Sequence, residues 1–150
     1  MKIETKYHGE LNISEKDLIL FRNGIPGFPQ YSNYIIIPLG EDTPFSVLQS
    51  TENKDLAFVI AVPFPFYKDY EFDMEDHVIK QLNIQKEEDI QVYSIVTLGE
   101  KIETSTVNLQ APLVINFKNK SGKQLVLNTD KYHTKHALHK LVKQSGQEGS

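Results

Sequence analysis

Leu56-Ala-Phe-Val-Ile-Ala-Val62 is the most hydrophobic run of the chain. It carries no charge and is rich in the β-branched and aromatic residues that fit a pleated surface, so it reads as a strand near the centre of a sheet. Working outward, similar short runs recur on both sides. Upstream lie Phe45-Ser-Val-Leu-Gln49, Tyr34-Ile-Ile-Ile-Pro38, Leu18-Ile-Leu-Phe21, Leu11-Asn-Ile13 and the alternating Lys2 to Tyr7, which ends at the turn His8-Gly9. Downstream lies Val92 to Leu98, ending at Gly99. Leu113-Val-Ile-Asn-Phe117 and Gln124-Leu-Val-Leu127 follow, joined by Asn119-Lys-Ser-Gly122, a strong hairpin signal. Short strands at spacings of about ten residues predict a closed or sandwiched all-β body.

Two segments have helical spacing. Asp73 is a plausible N-cap, Glu75 and Asp76 suit the first turn, and Val78, Ile79 and Leu82 share one face. From Thr134 to Lys143, Ala137, Leu138, Leu141 and Val142 form a second apolar stripe, with Lys140 and Lys143 in the last turn. Residues 144–150 contain no apolar side chain and are expected to be a disordered polar tail beyond a single domain spanning 1–143.

Composition narrows the function classes. There is no cysteine, which excludes disulfides, thiol catalysis and cysteine-based metal sites. The N-terminus has no signal-peptide core, and no segment approaches the ~20 apolar residues of a membrane helix, so a soluble cytoplasmic protein is expected. The net charge of −4 conceals an asymmetry. From Asp69 to Asp89 eight acids face Lys80 and Lys86; from Lys118 to Lys143 seven lysines face Asp130. The basic third holds no arginine, the main reader of bases, and the chain's one arginine is Arg22, which argues against direct nucleic-acid binding.

No motif spells out catalysis. His133, His136 and His139 recur at steps of three, too far around a helix for all three to share one metal, and no Glu-containing zinc motif accompanies them. His8 has no nucleophile or acid marked as a partner and reads as a turn histidine. Asp69, Glu71 and Asp73 lack the glycine a calcium loop requires. No phosphate-binding glycine loop is present, and Asn108 reads as a residue that hydrogen-bonds local backbone. Neither a cofactor nor a metal is expected. Two stretches look instead like rigid turns presenting aromatics beside charge: Phe21-Arg-Asn-Gly-Ile-Pro-Gly-Phe-Pro29 and Pro63-Phe-Pro-Phe-Tyr-Lys-Asp-Tyr-Glu-Phe72. In an extended segment Asp69, Glu71 and Asp73 share one face while Tyr70 and Phe72 share the other. That pattern is an edge with acids out and aromatics in, suited to a protein partner.

Six stretches together resemble the FliW family of flagellar assembly factors. They are Thr5-Lys-Tyr-His-Gly-Glu10, Gly24-Ile-Pro-Gly-Phe-Pro29, Pro44-Phe-Ser-Val-Leu-Gln-Ser50, Asp69-Tyr-Glu-Phe72, Val107-Asn-Leu-Gln-Ala-Pro112 with Val114-Ile-Asn116, and Tyr132-His-Thr-Lys-His136. The family usually has proline where this chain has Ala137, which favours a continuous helix there. The resemblance implies a mainly β, compact, β-barrel-like monomer with one or two short helices and no enzymatic activity. It implies two protein partners: newly made flagellin, and the RNA-binding translational repressor CsrA, which the protein antagonises once flagellin has been exported. CsrA carries basic surface, so Asp69, Glu71, Asp73 and Glu75 are the candidate CsrA contacts, with Phe66, Tyr70 and Phe72 supporting or anchoring them. Flagellin's assembly segments are helical and amphipathic, and Phe21, Ile25 and Phe28 are the candidate flagellin contacts. A small-ligand-binding β-barrel is the alternative.

Overall fold

The computed structural model describes residues 1–138. Its strands are β1 (Lys2–Glu4), β2 (Glu10–Asn12), β3 (Ile19–Leu20), β4 (Asn33–Pro38), β5 (Phe45–Ser50), β6 (Ala57–Ala61), β7 (Ile90–Thr97), β8 (Thr106–Val107), β9 (Leu113–Asn116), β10 (Ser121–Gln124) and β11 (His136–Ala137). The one α-helix among the described residues, α1 (Asp76–Gln81), lies between β6 and β7. No helix among them is long and apolar enough to cross a membrane.

β1 and β2 form a small hairpin. All other strands belong to one sheet in the order β11-β8-β7-β6-β5-β4-β3-β10-β9. β9 also pairs with β7, so the strands from β7 round to β9 close into a ring. Closure removes the exposed backbone edges that an open sheet would present. The central run behaves as its hydrophobicity predicts: β6 pairs with β5 on one side and β7 on the other.

The core has three parts. Phe21, Ile25, Tyr34, Leu48, Ile60, Leu113 and Ile115 are packed together in one. Phe45, Val59, Tyr70, Val96, Leu109, Tyr132 and Leu138 form a second cluster, and Val78 and Leu82 of α1 pack with Val114 and Leu125 in a third. β9 is thus covered on both faces. This explains why β9 is a continuous apolar run rather than an alternating one: Leu113 and Ile115 enter the first cluster, and Val114 meets α1.

Three local expectations are corrected. The hairpin after Leu113 forms, but its second strand is Ser121–Gln124, with Gly122 opposite Ile115, rather than Gln124 to Leu127. Asp73 does not cap α1. The cap position is Glu75, whose side chain makes no capping bond, because residues 71–75 stay extended as the chain packs Tyr70 and Phe72 against the second cluster. The segment after Thr134 is not helical where it is described: His136–Ala137 pairs antiparallel with β8, and the Leu138 amide donates to the Ser105 carbonyl at 3.2 Å. Leu138 is fully buried, so the sheet edge takes up Ala137 and Leu138, two of the residues that suggested a helical stripe. The remainder of that expected helix, and the tail at 144–150, lie outside the described residues.

Candidate functional site

Two surfaces bring the sequence-predicted residues together. The first follows Pro63. Its carbonyl accepts the amides of Phe66 and Tyr67, both at 2.9 Å, and the Tyr67 carbonyl accepts that of Tyr70 at 3.0 Å. After this tight turn the chain runs extended, and exposure alternates residue by residue. Asp69, Glu71, Asp73 and Glu75 are exposed, Phe72 and Met74 are half-buried, and Tyr70 is buried.

Aromatic packing fixes that strip. Tyr70 sits edge-on to Tyr132 with ring centres 4.7 Å apart, and it also touches Phe64 and Phe72. The Tyr70 hydroxyl donates to the Leu109 carbonyl at 2.8 Å, and the Glu71 amide donates to the Tyr132 hydroxyl at 3.1 Å. Tyr67 donates to the Ala137 carbonyl at 2.5 Å. Burial, reinforced by Tyr132, pushes the Tyr70 phenol well above its ordinary pKa. The acids therefore project from a strip held down by neutral phenols. Glu75 meets His77 at 3.1 Å, whereas Asp69, Glu71 and Asp73 have no ion-pair partner among the described residues. Between Glu71, Asp73, Leu127, Lys131 and Tyr132 lies a hollow of ≈ 410 Å³, with Lys131 across from the acids but not in an ion pair with them.

This edge gathers the four acids as expected, with Phe66 and Phe72 half-buried beneath. Tyr70 does not belong on the contact surface. At 4% exposure it is a positioning residue. Tyr67 and Tyr132 share that task, and sequence reasoning did not single out their role. Tyr132 stands in the quoted Tyr132–His136 stretch, but only the fold brings it against Tyr70.

The second surface is built by the Gly24–Pro29 turn. The Gly24 amide donates to the Phe21 carbonyl at 2.8 Å and the Phe28 amide to the Ile25 carbonyl at 2.7 Å. Gly24 has φ +69, and a Cβ there would come within 2.5 Å of the Phe28 carbonyl oxygen, so glycine is required. The structure places Phe21 and Ile25, each 1% exposed, inside the core, where they cannot reach a partner. Phe28 is 37% exposed and packs edge-on against Phe58. The reason is geometric: the turn folds back on itself and drives Phe21 and Ile25 inward. Its outer wall faces Gln81 and Leu82 of the α1 end and Gly122 and Lys123 of β10 across a cleft of ≈ 260 Å³.

The α1 end is held by buried Asn116, whose Nδ2 donates to the Leu82 carbonyl at 2.8 Å and to that of Asn83 at 3.3 Å, and by Asn119, which donates to Leu82 at 2.9 Å. Asn83 takes φ +50, a left-handed turn that stops the helix. Elsewhere Asn108 accepts the amides of Gln110 and Ala111, as its position suggested. His8 stands in the turn between β1 and β2, its amide bonded to the Thr5 hydroxyl. The His133 amide donates to His136 Nε2 at 2.8 Å.

The family model described as FliW protein matches residues 2–138. The flagellar assembly factor FliW of Bacillus pumilus is 46% identical over 138 residues, covering 92% of this chain and 96% of that protein. The FliW of Clostridium novyi is 48% identical over 140 residues, covering 93% and 98%. A crystal structure of the flagellar assembly factor FliW superposes with a TM-score of 0.88 at 43% identity, covering 92% of this chain and 96% of that one.

Proposed function

The chain belongs to the FliW family of flagellar assembly factors, and from that premise we propose that it is a non-enzymatic, cytoplasmic, monomeric regulator with two protein partners. It binds newly made flagellin. When flagellin leaves, it binds CsrA and relieves that repressor's hold on flagellin translation. The observation that carries the CsrA half is the acidic edge. Asp69, Glu71 and Asp73 project without an ion-pair partner among the described residues from a strip immobilised by Tyr70 and Tyr132. A fixed row of unneutralised carboxylates attracts a basic protein surface and selects against an acidic one. Half-buried Phe66 and Phe72 beside the acids supply apolar area that charge alone lacks.

Size-exclusion chromatography with light scattering tests the reading on the protein mixed with CsrA and, separately, with flagellin from the same genome. One-to-one or higher complexes with each are expected. Titration calorimetry at low salt then compares the wild type with the double variant Glu71→Lys, Asp73→Lys. CsrA affinity should fall by roughly tenfold or more, since each exposed charge contact is worth up to about 1 kcal/mol and reversal doubles the loss. Unchanged CsrA affinity in the double variant would remove the acidic edge from the contact.

A further inference from the structure

The cleft behind the Gly24–Pro29 turn has a chemistry opposite to that of the acidic edge. Its floor is apolar. Leu20 is 43% exposed there and supplies the accessible apolar surface, backed by the buried Ile25 and Leu82. Its rim carries two cations, Arg22 and Lys123, and no aspartate or glutamate lines it. Arg22 has no carboxylate partner among the described residues. The Lys123 ammonium donates to the neutral Gln81 amide oxygen at 2.5 Å. On a chain of net charge −4, an acid-free hollow between two unneutralised cations is a local reversal.

The walls are also fixed. Gly24 and the Ile25–Phe28 bridge set the turn, and Asn116 and Asn119 pin the α1 end opposite. At ≈ 260 Å³ the cleft is smaller than the roughly 300–1,000 Å³ of typical small-molecule sites. A preformed apolar hollow of this size with a cationic rim complements one large aliphatic side chain next to a carboxylate.

We propose that this cleft docks a polypeptide segment that lays an aliphatic side chain on Leu20 and sets a neighbouring carboxylate between Arg22 and Lys123. The inference rests on the flagellin half of the proposed function, which supplies a polypeptide with amphipathic segments, and it names the residue chemistry that enters. The acidic strip leads into α1 at Glu75, and the cleft touches the other end of that helix at Gln81 and Leu82. Flagellin and CsrA would thus be read at the two ends of one short element.

The test is calorimetric titration of monomeric flagellin, and separately of CsrA, into the full chain. The variants are Arg22→Glu with Lys123→Glu, Leu20→Ser, and Glu71→Lys with Asp73→Lys. Thermal melts check that each variant is folded. The cleft variants should weaken flagellin binding about tenfold or more while CsrA affinity stays within about twofold, and the acidic-edge variant should do the reverse. Replacing single flagellin acids by lysine should restore binding to the Arg22→Glu, Lys123→Glu variant at one position. Wild-type flagellin binding that is unaffected by folded cleft variants would overturn the cleft assignment and leave the flagellin reading standing. Equal loss of both partners would overturn it too. Absence of flagellin binding by the wild type would overturn the flagellin reading and the cleft assignment with it.

Discussion

Tyr34 and Tyr70 are both buried phenols, and they differ in what their hydroxyls find. The Tyr70 hydroxyl has the Leu109 carbonyl, whereas the Tyr34 hydroxyl, in a residue 0% exposed in the main core, has no hydrogen-bond partner among the described residues. Tyr34→Phe should therefore change stability by less than about 1 kcal/mol or raise it. Tyr70→Phe should cost about 1–2 kcal/mol, because it leaves a buried carbonyl unpaired. Chemical denaturation measures both. Burial, with smaller effects from Glu52 and Tyr31, pushes the Tyr34 pKa up to about 12 from 10.0, and Tyr70 is raised further. A raised folded-state value means the native state holds the proton more tightly than the unfolded chain. That contribution is complete below about pH 10 and is lost as pH climbs through the folded values. The melting temperature should drop on raising pH from about 10 toward 12, and the Tyr34→Phe, Tyr70→Phe double variant should flatten that drop. Gly122 is a second residue-scale constraint. A Cβ there would stand 2.7 Å from the Phe21 ring, so Gly122→Ala should cost about 1–3 kcal/mol by overpacking, read as a lowered denaturation midpoint at unchanged slope. The sequence reads Gly122 as a turn residue, but it lies in β10 opposite Ile115, and Lys120 takes the left-handed turn position. The contact of Gly122 with Phe21 was not legible, since 101 positions separate the two residues.

At the scale of elements, α1 shows how a short helix survives. Six residues are too few to be stable alone. Val78 and Leu82 anchor it on Val114 and Leu125, and Asn116 and Asn119 hold its last carbonyls. Asn116→Ala should cost about 1–2 kcal/mol by removing its hydrogen bonds to the Leu82 and Asn83 carbonyls and leaving Asn119 alone on Leu82, with faster amide exchange concentrated in residues 76–83. Uniformly faster exchange would mean instead that Asn116 supports the whole barrel. The helix itself was legible, because Val78, Ile79 and Leu82 recur at helical spacing. Its start was not. Asp73 is a good capping residue in isolation, but Tyr70 and Phe72 are committed to Tyr132 and the second core cluster, and that holds the backbone extended until Glu75. The same competition decided the segment from Thr134 to Leu138, where pairing with β8 and burial of Leu138 won over local helical spacing.

For the molecule as a whole, the separation of charge has a measurable consequence. The acids that crowd residues 69–76 supply the proposed CsrA edge. The association rate of CsrA should accordingly fall as salt is raised above about 0.1 M, where screening sets in beyond roughly 10 Å, while dissociation changes less. Stopped-flow mixing across a salt series checks this. The Glu71→Lys, Asp73→Lys variant should lose most of the salt dependence, and a salt-independent rate in the wild type would mean that long-range charge does not guide the encounter.

Most of the strands, a hairpin after Leu113, the alternation of Asp69, Glu71 and Asp73 with Tyr70 and Phe72, and the family were present in the sequence. Each rests on local periodicity, turn chemistry or ordered short motifs, which a chain carries with it before it folds. The assignment of Phe21, Ile25 and Tyr70 to the interior, the pinning of α1 by Asn116, and the meeting of Arg22 with Lys123 across one cleft were decided only by the tertiary structure. Those depend on closing β9 onto β7 and folding the Gly24–Pro29 turn inward. A glycine-proline turn presents the same residues to either side, and only the packed barrel determines which of them face solvent.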